Sequence, residues 1–394
     1  MAITFARRMK EMEVSIIREI LKITQRPEVI SFAGGLPAHE LFPVDDLKNI
    51  RIDILENLGN KALQYSTTEG YAPLREQIAY RMKCKFNTNV SADNILITHG
   101  SQQAIDFAGR LFLDEDDIML CESPTYLAAI SAFRAYRPKI ISVPTDNDGM
   151  IMSELEKLLK NYPNAKLMYV IPDFQNPTGR TWSVERRQDL VRLANKYEIP
   201  IVEDNPYGEL RFEGMIPPSI KSFDTKGLVI SIGTFSKTFC PGMRIGWLAA
   251  ESELFNGFVR IKQSADLHTS TISQIEISKF IENYDFDLHI KNVTELYKIR
   301  RDSMMNAMKT YFPNCAKFSY PAGGLFTWVE LPPKLNTTEL LMKCLDNNVA
   351  FVPGAPFFPD IKVENTLRLS YSNMPDESIC EGIRRIADTI KECI

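Results

Sequence analysis

The sequence predicts an α/β protein, with a large domain built on a mainly parallel sheet between layers of helices and a smaller α+β domain after it. Two observations carry this. From about residue 72 to 250, helical segments alternate with short apolar, β-rich runs, the pattern of strands joined by crossover helices. Beyond them, a long helical stretch over 272–311 leads into a region with strands near 325–330 and 366–371. A chain of 394 residues exceeds one ordinary core. The expected division is an arm with part of the small domain over 1–45, a large domain over 46–285 and the rest of the small domain over 286–394.

Taken in order, residues 14–24 place Ile16, Ile17, Ile20 and Leu21 on one side of a helix, suited to an arm that packs on another surface. A turn-rich loop, Ser31-Phe-Ala-Gly-Gly-Leu-Pro37, follows. Six runs then read as buried strands: 94–98, 117–121, 139–143, 167–171, 199–202 and 228–232. Ligands of such sheets sit just beyond the carboxyl ends of the strands, and the unusual polar clusters of this chain follow those runs directly. With no internal repeat and no low-complexity linker, the two domains are expected to be tightly coupled.

Composition narrows the function. Hydrophobic residues make up 44% and charged residues 24%, as in soluble globular proteins. A net charge of -4 without any Lys/Arg-rich run excludes a nucleic-acid partner on electrostatic grounds. The seven cysteines are scattered without a CxxC pair and read as reduced thiols. Four histidines, His39, His99, His268 and His289, lie far apart, so no metal site is expected. The start of the chain lacks the apolar core of a signal peptide, and no run approaches the ~18 apolar residues that cross a bilayer. The expected location is the cytoplasm, with no membrane partner.

Four loop clusters carry candidate chemistry. Thr98-His-Gly-Ser-Gln-Gln-Ala104 follows a strand and opens a helix expected over 104–113, a natural anion site, although a Ser-capped helix would account for it as well. Pro172-Asp-Phe-Gln-Asn-Pro-Thr-Gly179 alone would be an ordinary loop. In Val202-Glu-Asp-Asn-Pro-Tyr207 an acid ends a buried strand, where capping of the next element is the bland alternative. Ile232-Gly-Thr-Phe-Ser-Lys-Thr-Phe-Cys-Pro-Gly-Met-Arg-Ile-Gly246 sets Lys237 in a Gly/Ser/Thr loop, with Arg244 seven residues on; a surface lysine is the alternative.

Together and in this order, the clusters resemble the class I/II group of fold-type I aminotransferases that depend on pyridoxal 5'-phosphate. The likeness spans the chain from Ser31 to Leu367-Arg-Leu-Ser370. Within the group it is most similar to the branch of 2-aminoadipate, kynurenine and aromatic aminotransferases and the aminotransferase-like domains of certain bacterial regulators. The resemblance implies a seven-stranded large sheet. It makes Lys237 the Schiff-base lysine and proton carrier, and Asp204 the acid that keeps the pyridine nitrogen protonated.

By the same likeness Asn176 and Tyr207 bond the ring 3-oxygen and Tyr126 stacks on the ring, although without the family Tyr126 reads equally as a core residue. Ser101, Gln102, Thr234, Ser236 and Arg244 hold the phosphate. Tyr65 matches a tyrosine that reaches the neighbouring subunit's phosphate, which implies a homodimer with shared active sites. Arg368 matches the fork that grips the substrate carboxylate; a surface arginine on an edge strand is its alternative. Asn176, Gly34 and Gly35 complete the substrate side, with the glycines leaving room for the ligand. Thr234 and Asn205 depart from common Ser and Asp without removing a donor or charge.

The implied reaction moves an amino group from an L-amino acid, aromatic or 2-aminoadipate with broad tolerance, to a 2-oxo acid such as 2-oxoglutarate, by ping-pong kinetics. A β or C–S lyase on the same fold is the alternative. A regulator is disfavoured, since the roughly thirty residues before Ser31 leave no room for a DNA-binding domain.

Overall fold

The computed structural model describes residues 3–10, 26 and 28–394, so the helix expected over 14–24 lies outside the described residues. The strands are β1 (Ile30–Ser31), β2 (Ile95–Thr98), β3 (Ile118–Ser123), β4 (Lys139–Asp146), β5 (Gly149–Met150), β6 (Leu167–Val170) and β7 (Ile201–Asp204). They continue with β8 (Val229–Thr234), β9 (Gly246–Ala249), β10 (Lys317–Phe318), β11 (Phe326–Glu330), β12 (Val349–Ala350), β13 (Val352–Pro353) and β14 (Thr366–Ser370).

The large sheet runs β2-β9-β8-β7-β6-β3-β4-β5. From β8 to β4 every neighbouring pair is parallel, whereas β9 is antiparallel to both β2 and β8. Seven of these strands match the expected sheet. The eighth, β5, returns antiparallel to β4 across Asn147 and Asp148. That turn closes because Asp146 Oδ1 accepts from the Asp148 N–H at 2.9 Å and Gly149 adopts φ +113°, a conformation open to glycine.

Side-chain alternation explains why the strands read as unbroken apolar runs. In β6, Leu167, Tyr169 and the following Ile171 pack with Phe133 and Phe258 on one face, while Met168 and Val170 pack with Leu190 and Ile201 on the other. Both faces are covered by helices, and each fully buried Leu or Ile contributes about 1.5–3 kcal/mol.

Two expectations change. The stretch 272–311 is two helices, Thr271–Asn283 and Phe286–Tyr311, because Asp285 stops the chain between them and accepts from the Leu288 N–H at 2.8 Å, an N-cap. The helix expected from 104 starts at Gly100 and runs to Phe112, which puts Ser101 and Gln102 inside its first turn.

The smaller sheet has the order β10-β11-β14-β13 and is antiparallel throughout. Segment 30–32 joins this half of the molecule: β1 pairs with β12, and the Phe32 N–H donates to Ala350 O at 2.8 Å. Phe32, Tyr297, Met304, Leu369 and Ile383 share its core. Among the described residues no helix is long and apolar enough to cross a membrane.

Candidate active site

Parallel strands end at one edge of the sheet: β7 ends at Asp204, which pairs with Ile232 of β8, and β8 runs two residues further to end at Thr234. Beyond that edge lies a cavity of about 150 Å³ whose wall includes Ser101, Gln102, Tyr126, Asn176, Asp204 and Tyr207. Thr234, Ser236, Lys237 and Arg244 complete the polar wall, with Ile171, Pro206 and Pro241 between them. Ten sequence-predicted residues, drawn from five segments of the chain, thus line one space.

One end of the cavity is an anion cradle. Gly100 begins its helix at φ +69°, and a Cβ there would lie 2.7 Å from the Arg244 guanidinium. A Cβ on Gly246 would strike the Gly100 carbonyl carbon at 2.6 Å, so both glycines are needed for the helix start to approach the loop. The residue before the helix, His99, makes no side-chain cap. Instead Gln103 Oε1 accepts from the His99 N–H at 3.0 Å, in the manner of a capping box. Ser101 is therefore not the cap, and the first-turn N–H groups stay free to meet an anion. Among the described residues Arg244 donates only to carbonyls, those of Pro241 and His99, each at 3.3 Å. Thr234 Oγ1 lies 2.9 Å from Ser236 Oγ and accepts from the Ser236 N–H at 3.1 Å.

The opposite end holds an acid and a lysine. Asp204 is 2% exposed, and its Oδ2 accepts from the Tyr169 hydroxyl at 2.7 Å, while its buried Oδ1 has no partner among the described residues. Capping falls instead to Asn205, whose Oδ1 accepts from the Gly208 N–H at 2.9 Å. Burial pushes the Asp204 carboxyl up to about 7, against the Tyr169 hydrogen bond, which lowers it. Lys237 is no surface lysine: its Nζ donates to Gly35 O at 2.7 Å. Burial first, then the charges of Arg368 and Arg244, bring its amine down to about 8. Tyr126 is raised to about 12 by burial and by the nearby Asp204 charge; burial raises Tyr207 as well.

Arg368 lies on β14, which pairs on both sides with β11 and β13, so it is not on an edge. It is 3% exposed. Nη1 donates to Asn176 Oδ1 at 2.8 Å and Nη2 to Ala33 O at 2.7 Å, and Nε has no partner among the described residues. Burial lowers its pKa to about 10, which leaves it a cation at neutral pH facing only neutral acceptors.

Tyr65, Gly34 and Gly35, like Arg368, are not among the residues that line the cavity. Tyr65 lies outside the cavity, 79% exposed, with its ring edge-on to His268 at 5.8 Å. A Cβ on Gly35 would meet the Phe326 ring at 2.5 Å, so the protein's own packing demands this glycine; Gly34 is half-buried beside it. Tyr169 and Phe326 carry no motif of their own. A tyrosine inside the buried run 167–171 was the only signal for the first, since its hydroxyl needs an internal partner.

The fold and the set of side chains at the sheet edge define a fold-type I enzyme. The aminotransferase class I and II family model matches residues 27–386. The chain is 44% identical over 392 residues to aromatic-amino-acid aminotransferase 1 of Thermococcus litoralis, covering 98% of this chain and 94% of that protein. It is 40% identical over 382 residues to the 2-aminoadipate transaminase of Thermus thermophilus, covering 96% and 94%. The solved Pyrococcus horikoshii kynurenine aminotransferase, in a complex containing PMP, superposes with a TM-score of 0.95 at 40% identity, covering 99% and 97%. The chain belongs to the class I and II aminotransferases, an amino-group-transferring family that implies pyridoxal phosphate as cofactor.

Proposed function

We propose that the cavity holds pyridoxal 5'-phosphate and that the chain transfers an amino group from an L-amino acid to a 2-oxo acid such as 2-oxoglutarate. The observation that carries this is Asp204: a buried carboxylate oxygen with no partner, in the same cavity as Lys237, is what a protonated ring nitrogen would satisfy. The donor set fits the rest of the group. The helix start, Ser101, Gln102, Thr234, Ser236 and Arg244 would hold the phosphate, Asn176 and Tyr207 the 3-oxygen, Tyr126 the ring face, and Lys237 the aldehyde carbon. When bound, the cofactor supplies an electron sink for the pair left when the substrate Cα–H bond breaks.

The chain's own residues do the remainder. Arg368 and Asn176 orient the α-carboxylate that donor and acceptor share, through a planar fork that lysine lacks. Lys237, with its amine brought down to about 8, can take the Cα proton near neutral pH and return it. The small-domain loop through Gly34 and Gly35 covers the substrate side. Aromatic amino acids or 2-aminoadipate as donors follow the names of the relatives, and broad tolerance accords with a selectivity of only ~1–3 kcal/mol per methylene.

The same reading makes the enzyme a cytoplasmic homodimer, in which the exposed Tyr65 serves the partner's site. It divides the chain at about residues 45 and 285. Borohydride reduction followed by peptide mapping tests it, together with incubation of amino acid donors and 2-oxoglutarate. A pyridoxyl adduct at Lys237 and production of glutamate are expected; no adduct there, or pyruvate and ammonia in place of glutamate, would overturn it.

A further inference from the structure

We infer that Phe326 is a positioning residue, a π platform that sets the Arg368 fork for the substrate carboxylate; this deepens the reading above and rests on it. Phe326 opens β11 opposite Ser370. Side chains alternate along a strand, so Phe326 shares a sheet face with Trp328 and, across the ladder, with Arg368, the partner of Trp328. The ring is 2% exposed and lies 4.1 Å from the Arg368 guanidinium carbon, measured to its centroid. Phe357 approaches the same guanidinium at 5.3 Å. An aromatic face attracts a cation most strongly where water is excluded, and among the described residues no carboxylate competes for it, since Arg368 donates there only to Asn176 Oδ1 and Ala33 O.

The same ring touches two other parts of the site. Its edge relation to Tyr207, at 5.9 Å and 87°, is the favoured T-shaped geometry. Its tip fills the space of a Gly35 Cβ at 2.5 Å, beneath the carbonyl that accepts from Lys237. One apolar side chain thus contacts the carboxylate fork, the Tyr207 ring and the loop over the lysine. Removing its π face should loosen the fork for donor and acceptor alike, because the carboxylate is the part they share.

The test compares wild type with Phe326→Leu, which keeps an apolar filler, and with a series in which residue 326 carries phenylalanine bearing increasing numbers of ring fluorines, which keeps the shape while draining the negative face. In the holoenzyme, KM for donor and acceptor should rise together by about tenfold in Phe326→Leu, with kcat changed by less than about threefold. The Kd for 3-phenylpropanoate, a carboxylate that cannot react, should weaken stepwise with fluorine number. A Kd that stays flat across the series, or a KM change confined to one substrate, would overturn the inference. The binding arm needs no turnover, so it decides the matter even if the transamination assay were to fail.

Discussion

Replacing Asp204 with Asn probes the buried acid in a way that separates its electrostatic burden from its chemical use. In the ligand-free fold, burial raises this carboxyl from an ordinary 3.8 to about 7. Between those values the folded state keeps a proton that the unfolded state has released, so the contribution of Asp204 to stability falls as pH rises through that window and then levels off. The full deficit above pH 7 is about 4 kcal/mol. Asparagine has the same shape, can accept from Tyr169 and does not titrate. Cofactor-free Asp204→Asn should therefore match wild type near pH 4 and exceed it by up to about 4 kcal/mol at pH 8. Melting both proteins across that range gives the difference directly, as a gap in midpoint that widens with pH. A gap that is constant, or that widens toward acid, would refute the burial argument. The same variant, loaded with cofactor, should lose most turnover, since it gives up the charge that would hold a ring nitrogen protonated.

Arg368→Ala removes two hydrogen bonds to a charged partner, each worth about 1.5–3 kcal/mol, so kcat/KM should drop by a hundredfold or more in both half-reactions; unchanged acceptor affinity in stopped-flow titrations would count against the shared fork. Mixing Lys237→Ala chains with Tyr65→Ala chains should restore activity that neither variant shows alone, because one site of the mixed dimer regains both residues; no recovery after confirmed exchange of subunits would argue against a shared site. Gly35→Ala would bring a methyl against the Phe326 ring, 2.5 Å from the space it needs. It should cost about 1–3 kcal/mol of stability and raise KM for both substrates; a variant indistinguishable from wild type in melting and KM would show that the loop moves freely.

Much of the architecture was legible because it follows from local chemistry. Strands buried on both faces must be apolar at consecutive positions, which is why 167–171 and 228–232 are recognisable as strands in the sequence. Polar clusters after such strands must lie at the carboxyl edge, which placed Lys237, Asp204 and Asn176 near one another. The antiparallel β9 and the break at Asp285 were less visible, since four residues ending in Ala249 and one Asp within a helical run are weak signals beside the contacts that select them.

By itself, then, the sequence determined the α/β class, the carboxyl-edge location of the chemistry and the identity of most groups that line the cavity, because periodicity and residue type act over short spans. Only the tertiary structure decided which of those groups lack partners. Among the described residues Arg368 is a desolvated cation without a counter-ion, because β11 and β13 enclose β14 on both sides. Asp204 keeps one free oxygen because Tyr169, 35 residues away in the chain, takes the other. Such facts depend on which distant surfaces meet, and neither motif nor spacing contains them.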